Sequence, residues 1–425
     1  ILPDADKYID ADGNLVIPGG IDAHTHVHQV YGETFKNATE AAIAGGTTMF
    51  MEFAGSGWGE STDKSMREGV ETMKEIAEKE SSIDFNIHAM VCPTIPPNMA
   101  ELDEINGMTK DGIASFKHFT ANPNGTFSGL NSGLIVESFK RIKEANGIAS
   151  THAENEELRV YLVEKLKKAG RSDPMAHPES RPRLCEDEAV LRMILFAREI
   201  GTPLHVFHVA SGNAAGFVGQ AKQDNLSITG ETCPHYLFFT QEDLKKFGPY
   251  LQVNPCIKSK SDRKALWQTL ANGSMDIVVT DHYAPPKDHK EKGWENCWEV
   301  EGGVPGLQTR MMLMMSEGVN KDRISLERFV DACCTRPAKI FGLFPKKGVI
   351  QVGSDADIVI IDPKKEIEIR ADKLHHKCDW TPYEGWIVRG VPIATMVKGK
   401  LMMEDEEVWG EPGWGKFVPR RIPKM

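Results

Sequence analysis

Six side chains suited to holding metal ions fall at the ends of strand-like segments, spread from residue 24 to residue 281. They are His24 and His26 in GGIDAHTHV, Lys117 in GIASFKHFT, His152 in GIASTHAEN, His208 in PLHVFHVAS and Asp281 in DIVVTDHYAP. His24 and His26 are two apart, which on a strand turns both imidazoles to one face. The other four end runs rich in Ile, Val, Phe or Ala, where a barrel strand delivers side chains to a shared mouth. Imidazoles with a carboxylate suit zinc and similar divalent metals.

The runs between these positions support the same architecture. Strand candidates lie at 21–26, 47–53, 84–91, 113–119, 148–152, 204–209, 227–232 and 277–281. Helical patterns at 33–44, 63–78, 134–145, 186–200 and 261–270 alternate with them. That alternation predicts an α/β fold, a (β/α)8 TIM-like barrel over residues 20–340. A doubly wound open sheet is the alternative, but it gathers its ligand at one switch point rather than from so many strand ends.

Beyond residue 340 the pattern changes. Gly348 to Ile361 reads as strand, turn, strand, and Trp386 to Lys400 as a hairpin-like pair. Residues 8–16 (YIDADGNLV) also read as β, with Asp12-Gly13 at the turn. Residues 1–19 and 341–425 are therefore assigned to one small β domain built from both chain ends. The segment 410–425, rich in Trp, Pro, Lys and Arg, reads as a surface arm or a subunit contact. Met311, Met312, Met314 and Met315 read as a helix packed on the barrel.

Charge and composition exclude other classes. The 425 residues carry 61 acidic and 50 basic side chains, net −11, with no basic stripe. A nucleic-acid footprint and an anionic-membrane surface are both disfavoured. No apolar run approaches the ~20 residues of a membrane span. Eight Cys without CxxC pairs suit reduced thiols and a cytoplasmic enzyme. The opening Ile1-Leu2-Pro3-Asp4 lacks an initiator Met, which points to a start lying further upstream.

Lys117 has two readings. It is a strand lysine paired with a carboxylate, or a buried amine among metal ligands. Burial beside cations would favour the neutral amine. Reaction with CO2 would make it a carbamate (N6-carboxylysine) with two oxygens and one negative charge, suited to bridging two cations. Two metals ~3.5–4 Å apart can share a hydroxide that is nucleophilic near neutral pH. Asp281 would accept its proton and pass it to a leaving nitrogen; alternatively Asp281 caps a helix. His88, His118, His205, His235 and His282 read first as hydrogen-bonded structural residues.

PGGIDAHTH, AGGTTMFMEFA, SFKHF, HAEN, SRP, HVASGNA, GETCPHYL, VTDH, GGVPGLQTR, TRPAKIFGL and VGSDADIVI follow one another in the chain. Together they resemble the cyclic amidohydrolases of the amidohydrolase superfamily, the group of hydantoinase/dihydropyrimidinase, allantoinase and dihydroorotase. The resemblance implies a barrel with a β-sandwich, a homotetramer or homodimer, and two divalent metals, zinc first. It places His24, His26, carboxylated Lys117, His152, His208 and Asp281 around them. It also implies substrate contacts at Asn254 and Gly303, where a glycine lets the backbone approach a ring.

Dihydroorotases carry HxHxR; here the Arg position is His28, and Phe53-Ala54 replaces the usual Pro-Asn. A two-pronged carboxylate clamp needs Arg, so dihydroorotase is disfavoured. Hydantoinases resembling this chain carry a Tyr shortly after the lysine, whereas Phe119-Thr-Ala-Asn-Pro-Asn stands here. Thr120, Asn122 or Asn124 is the expected substitute donor. Hydrolysis of a hydantoin or dihydropyrimidine ring is the first expectation and allantoin the second. A linear-amide deacylase and a metal-free scaffold protein follow.

Overall fold

The computed structural model describes residues 8–27, 31–55, 64–91, 100–122 and 129–422. Strand β1 (Leu15–Pro18) leads into eight parallel strands: β2 (Gly20–Asp22), β3 (Thr47–Gly55), β4 (Asp84–Met90), β5 (Ser115–Phe119), β6 (Ile148–His152), β7 (Leu204–Val206), β8 (Ile228–Thr232) and β9 (Ile277–Val278). They lie side by side in chain order. All eight sequence-predicted strands are present, with shifted ends. β7 and β9 are shorter than expected because the chain turns inward past them: His208 and Asp281 have φ of 36° and 49°.

The β2–β9 seam is closed by single bonds rather than a ladder. His26 N–H donates to His282 O at 2.8 Å, and Thr280 N–H donates to Asp22 Oδ1 at 3.1 Å. The buried Arg310 guanidinium spans the same seam, donating to Ile21 O (2.9 Å) and Val278 O (2.8 Å). A delocalised cation with five donors can satisfy carbonyls from both strands at once. Arg310 begins the expected Met-rich helix, Arg310–Leu313, which continues as a π-helix, Met314–Val319; all four methionines are buried. Outer helices carry local start signals, such as the capping boxes of Thr34 with Asn37 and Ser65 with Glu68.

The chain ends meet in a five-stranded antiparallel sheet, ordered β1, β10 (Ile358–Glu368), β11 (Ile387–Val397), β12 (Lys400–Glu404), β13 (Glu407–Val408). Three details differ from expectation. Of residues 8–16, only Leu15 and Val16 enter a strand. Gly348–Asp357 forms no strand. Trp386 to Lys400 is not a hairpin within itself but mostly one long strand, β11, whose turn into β12 falls at Lys398-Gly399 (φ 52° and 79°). Pro392 sits at a register shift opposite Ile361, where a missing N–H costs the ladder little.

The C-terminal arm lies at the surface in part, with Glu411, Pro412, Lys416, Pro419 and Arg421 exposed, but it is pinned to the barrel. Phe85 N–H donates to Lys416 O, and Val418 N–H donates back to Phe85 O. Arg420 is fully buried under the barrel, donating to Ile87 O at 2.9 Å and Ser115 Oγ at 2.8 Å.

Asp84, at the start of β4, joins the sheet to the barrel. It accepts from Lys347 (2.7 Å), Lys398 (2.6 Å) and the Lys416 N–H (2.8 Å). Burial works against its charge, but the two ammonium groups outweigh it and hold Asp84 below the usual carboxylate range. Asp357 shares Lys347 at 2.6 Å, and there burial prevails and pushes the carboxyl up. A depressed folded pKa stabilises above the unfolded value near ~3.9 and stops doing so as pH falls through the folded value. Asp84→Asn is therefore expected to cost about 3 kcal/mol at pH 7, with the gap from wild type narrowing below pH ~4. Urea midpoints at both pH values check this; an unchanged gap would show that the Asp84 charge is not responsible.

Candidate metal centre

The barrel mouth gathers all six candidates. His24 follows β2, with its ring fixed from behind: its Nδ1 lies 2.5 Å from Glu231 Oε1, at the end of β8. Glu231 Oε2 takes His205 Nε2 at 3.0 Å. An Nδ1–H held by a carboxylate leaves Nε2 as the lone-pair face. That Nε2 stands 3.1 Å from Asp281 Oδ1 and 3.3 Å from Lys117 Nζ. His26 Nε2 stands 3.3 Å from the same Asp281 oxygen. The donor atoms of His24, His26 and Asp281 lie within 4.8 Å of one another.

A second group adjoins the first. His152, the last residue of β6, presents Nδ1 to His208 Nε2 at 3.1 Å. Its Nε2 is tied to Glu154 Oε2 at 2.9 Å, and Arg181 Nη1 holds that oxygen at 2.5 Å. The His24 and His208 rings are 5.2 Å apart, so the two groups are neighbours. Lys117 rises from β5, 2% exposed, with Nζ 4.0 Å from the Phe53 ring centre and 4.7 Å from that of Phe119. Burial lowers the pKa of His26 and of His152, and takes that of His208 well below the ordinary value. These imidazoles are neutral near pH 7, the form that donates a lone pair to a cation. Burial opposes the charge of Asp281, but His24, His26 and His208 hold it well below the usual carboxylate range.

The other histidines fit the structural role. His88 bonds Ser115 Oγ and Ala23 O, His118 bonds Ser150 O and Ser138 Oγ, and His282 bonds Glu33. His235, 1% exposed, packs edge-on against Tyr236 with centroids 4.2 Å apart, but its buried Nε2 has no hydrogen-bond partner among the described residues, so packing rather than the expected hydrogen bond holds that side of the ring.

The expected substrate contacts are placed less uniformly. Thr120 Oγ1 donates to Glu154 O at 2.7 Å and accepts from Glu154 N at 2.9 Å, so its proton is committed within the protein. The Asn122 N–H donates to Glu156 at 3.2 Å. Asn254 Oδ1 accepts from His177 Nε2 at 2.9 Å, at the rim of a cleft of about 280 Å³ that also includes Arg181, Gln252, Trp298 and Glu301. Gly303 donates its N–H to Gln252 O and has φ of 148°. A Cβ there would meet the Tyr283 ring at 2.5 Å, so the space that glycine leaves is filled by Tyr283. The buried Lys290 ammonium ties the two wall segments together, bonding Gln252 O (3.2 Å) and Glu301 O (3.0 Å), and burial lowers its pKa to about 7. His28 and Asn124 lie outside the described residues.

Sequence reasoning passed over Glu231, Glu154 and Tyr283. The first two sit in GETCPHYL and HAEN, and a carboxylate at a strand end beside a histidine was the available signal.

A parallel barrel with imidazoles and a carboxylate at its C-terminal mouth defines the class of metal-assisted barrel hydrolases. The profile described as "Amidohydrolase family" matches residues 15–402, and the chain belongs to that family. It is 36% identical to the D-hydantoinase of Ralstonia pickettii, covering 100% of this chain and 93% of that protein. It is 34% identical to the L-hydantoinase of Paenarthrobacter aurescens, covering 98% and 90%. Among solved structures, dihydropyrimidinase from Brevibacillus agri NCHU1002 superposes with a TM-score of 0.94 at 33% identity, covering 100% and 93%.

Proposed function

We propose that this chain is a metal-dependent hydrolase that opens a cyclic amide ring of the hydantoin or dihydropyrimidine type. The observation that carries the reading is the convergence of His24 Nε2, His26 Nε2, Asp281 Oδ1 and Lys117 Nζ beside the His152–His208 pair. Relatives named hydantoinases and a dihydropyrimidinase, matched over nearly their whole length, supply the ring class.

The donor set fits two divalent cations, with zinc the first choice. The nitrogen opposite a carboxylate-held N–H is presented in His24 and His152, and Asp281 is ionised between two of the rings. Lys117 completes the set as N6-carboxylysine. When bound, the metals supply Lewis acidity and a water acidic enough to deprotonate near pH 7. Asp281 takes the proton of the attacking water and returns it to the ring nitrogen as the C–N bond breaks. Glu231 and Glu154 keep the tautomers of His24 and His152 fixed. On this reading Asn254 and the backbone at Gly303 contact the ring, with Asn122 a further contact and Thr120 supporting from its bond to Glu154.

On this reading residues 20–340 carry the chemistry, residues 1–19 and 341–425 the supporting sheet, and the working form is a homotetramer or homodimer. No described helix is long and apolar enough to cross a membrane. The seven described cysteines are all buried and unbridged, which supports a cytoplasmic enzyme.

A panel of hydantoin, dihydrouracil, allantoin, dihydroorotate and an N-acetyl amino acid tests the reading. Dihydroorotate is expected to fall at least ~10-fold below the best neutral ring in kcat/KM, the scale of one uncompensated charged group. The nearby cations are engaged elsewhere: Arg181 with Glu154, and Lys258 with Arg181 O (3.0 Å) and Cys256 Sγ (3.2 Å). Fastest turnover of dihydroorotate, or of the N-acetyl amino acid, would replace the proposed substrate class.

A further inference from the structure

Opening an amide ring puts negative charge on the carbonyl oxygen, and a preorganised donor 2.7–3.1 Å from that oxygen stabilises it most. The hydroxyl proton of Thr120 is held by Glu154 O, so Thr120 is not positioned to be that donor. A phenol stands on the opposite flank. Tyr283 follows Asp281 by two residues, and its ring meets the His26 ring edge-on, with centroids 6.3 Å apart at 83°. The side chain has a built seat, because a Cβ at Gly303 would come within 2.5–2.9 Å of Cδ1, Cβ and Cγ of Tyr283.

The hydroxyl of Tyr283 donates to Glu301 Oε2. Tyr31 donates to the same oxygen at 3.3 Å, and its hydroxyl also lies 3.0 Å from His289 Nε2. The Glu301 carbonyl is anchored by Lys290 at 3.0 Å. Two phenols thus share one fixed carboxylate. If Tyr283 turned away, Glu301 would keep the Tyr31 donor and would not be stranded.

We propose that Tyr283 is a catalytic hydrogen-bond donor: its hydroxyl swings from Glu301 to the scissile carbonyl oxygen of the ring as that oxygen gains charge. Tyr31 and Glu301 hold it ready, and no bond to Tyr283 forms or breaks. The assignment rests on the ring-opening reading above.

The test is Tyr283→Phe in the metal-loaded enzyme, assayed on whichever panel ring the wild type opens fastest. The expected result is a loss of ~10²–10³ in kcat, the scale of one oxyanion donor, with KM within ~3-fold, and wild-type metal content and melting temperature. Tyr31→Phe, which leaves the Tyr283 hydroxyl in place but removes the second donor to Glu301, is expected to lower kcat by ~5–20-fold, well short of the Tyr283→Phe loss. Tyr283→Phe with wild-type kcat on an active wild type overturns the assignment alone. So does a loss confined to KM, or one equalled by Tyr31→Phe, because either marks a wall residue. A wild type that opens no ring overturns the ring-opening reading and this assignment together.

Discussion

Lys117→Ala is expected to abolish turnover, by at least ~10³-fold, and to lower bound metal to one equivalent or none. The amine stands 3.3 Å from His24 Nε2 and is enclosed by Phe53, Phe119 and Phe207. An ammonium there would face the cations that the imidazoles attract, with no water to screen it. The neutral amine plus CO2 gives an anion in the same place, and losing it removes several kcal/mol of charge stabilisation. Lys117→Met separates charge from volume, because it fills the space among the phenylalanines while offering no oxygen. Both variants should lose metal and activity, and small carboxylic acids should restore part of the activity to Lys117→Ala by occupying the vacated space. Elemental analysis and kcat decide the matter. Full metal content in Lys117→Met, or an unmodified amine between two metals in crystallographic density, would remove the bridging role.

The second large effect is expected at Asp281, where Asp281→Asn should cut turnover at least ~10²-fold, the scale of a lost general base, with the fold intact. The substitution is chosen for the backbone. Asp281 has φ of 49°, a left-handed conformation that Asn adopts readily and most other residues resist. The amide keeps an oxygen near His24 and His26 but cannot carry a proton. His235→Asn is the comparison, since it changes a buried imbedded imidazole outside the converging set, and a much smaller loss is expected. Near-normal turnover of metal-loaded Asp281→Asn would mean that another group carries the proton.

The barrel was legible because its strands are short apolar runs set off by helical patterns, a local signal that needs no partner. The converging side chains were legible as a set because polar residues close several such runs in one chain order, although a single one, like His118, can equally be a hydrogen-bonded strand residue. Features that depend on distant residues were not. Arg420 looks like part of a charged tail until Ile87 O, 333 residues away, and Ser115 Oγ, 305 away, are seen to receive it. Gly390-Val-Pro392 has turn composition, yet β10 beside it carries the strand through with a register shift. Gly303 was assigned to close approach by a substrate; on the side where a Cβ would point, the close neighbour is the Tyr283 ring, which no local pattern announces. Thr120 is an available donor in the sequence and a committed one once Glu154 folds beside it.

The converging side chains come from β2, β5, β6, β7 and β9 or the residues just past them, and the seam between the first and last of these is closed only by a few bonds around Arg310 and His282. No shorter stretch of the chain contains a usable fraction of the site. During synthesis the donors accumulate one at a time, and the set is complete only after residue 281 has docked against residue 24. On the metal-dependent reading, full cation capture would then follow closure of the barrel rather than guide it. It would also hold the β2–β9 seam, because its affinity would add to the stability of the closed form alone. On that reading a barrel made without the ion would be complete but less stable, by an amount that ion binding restores.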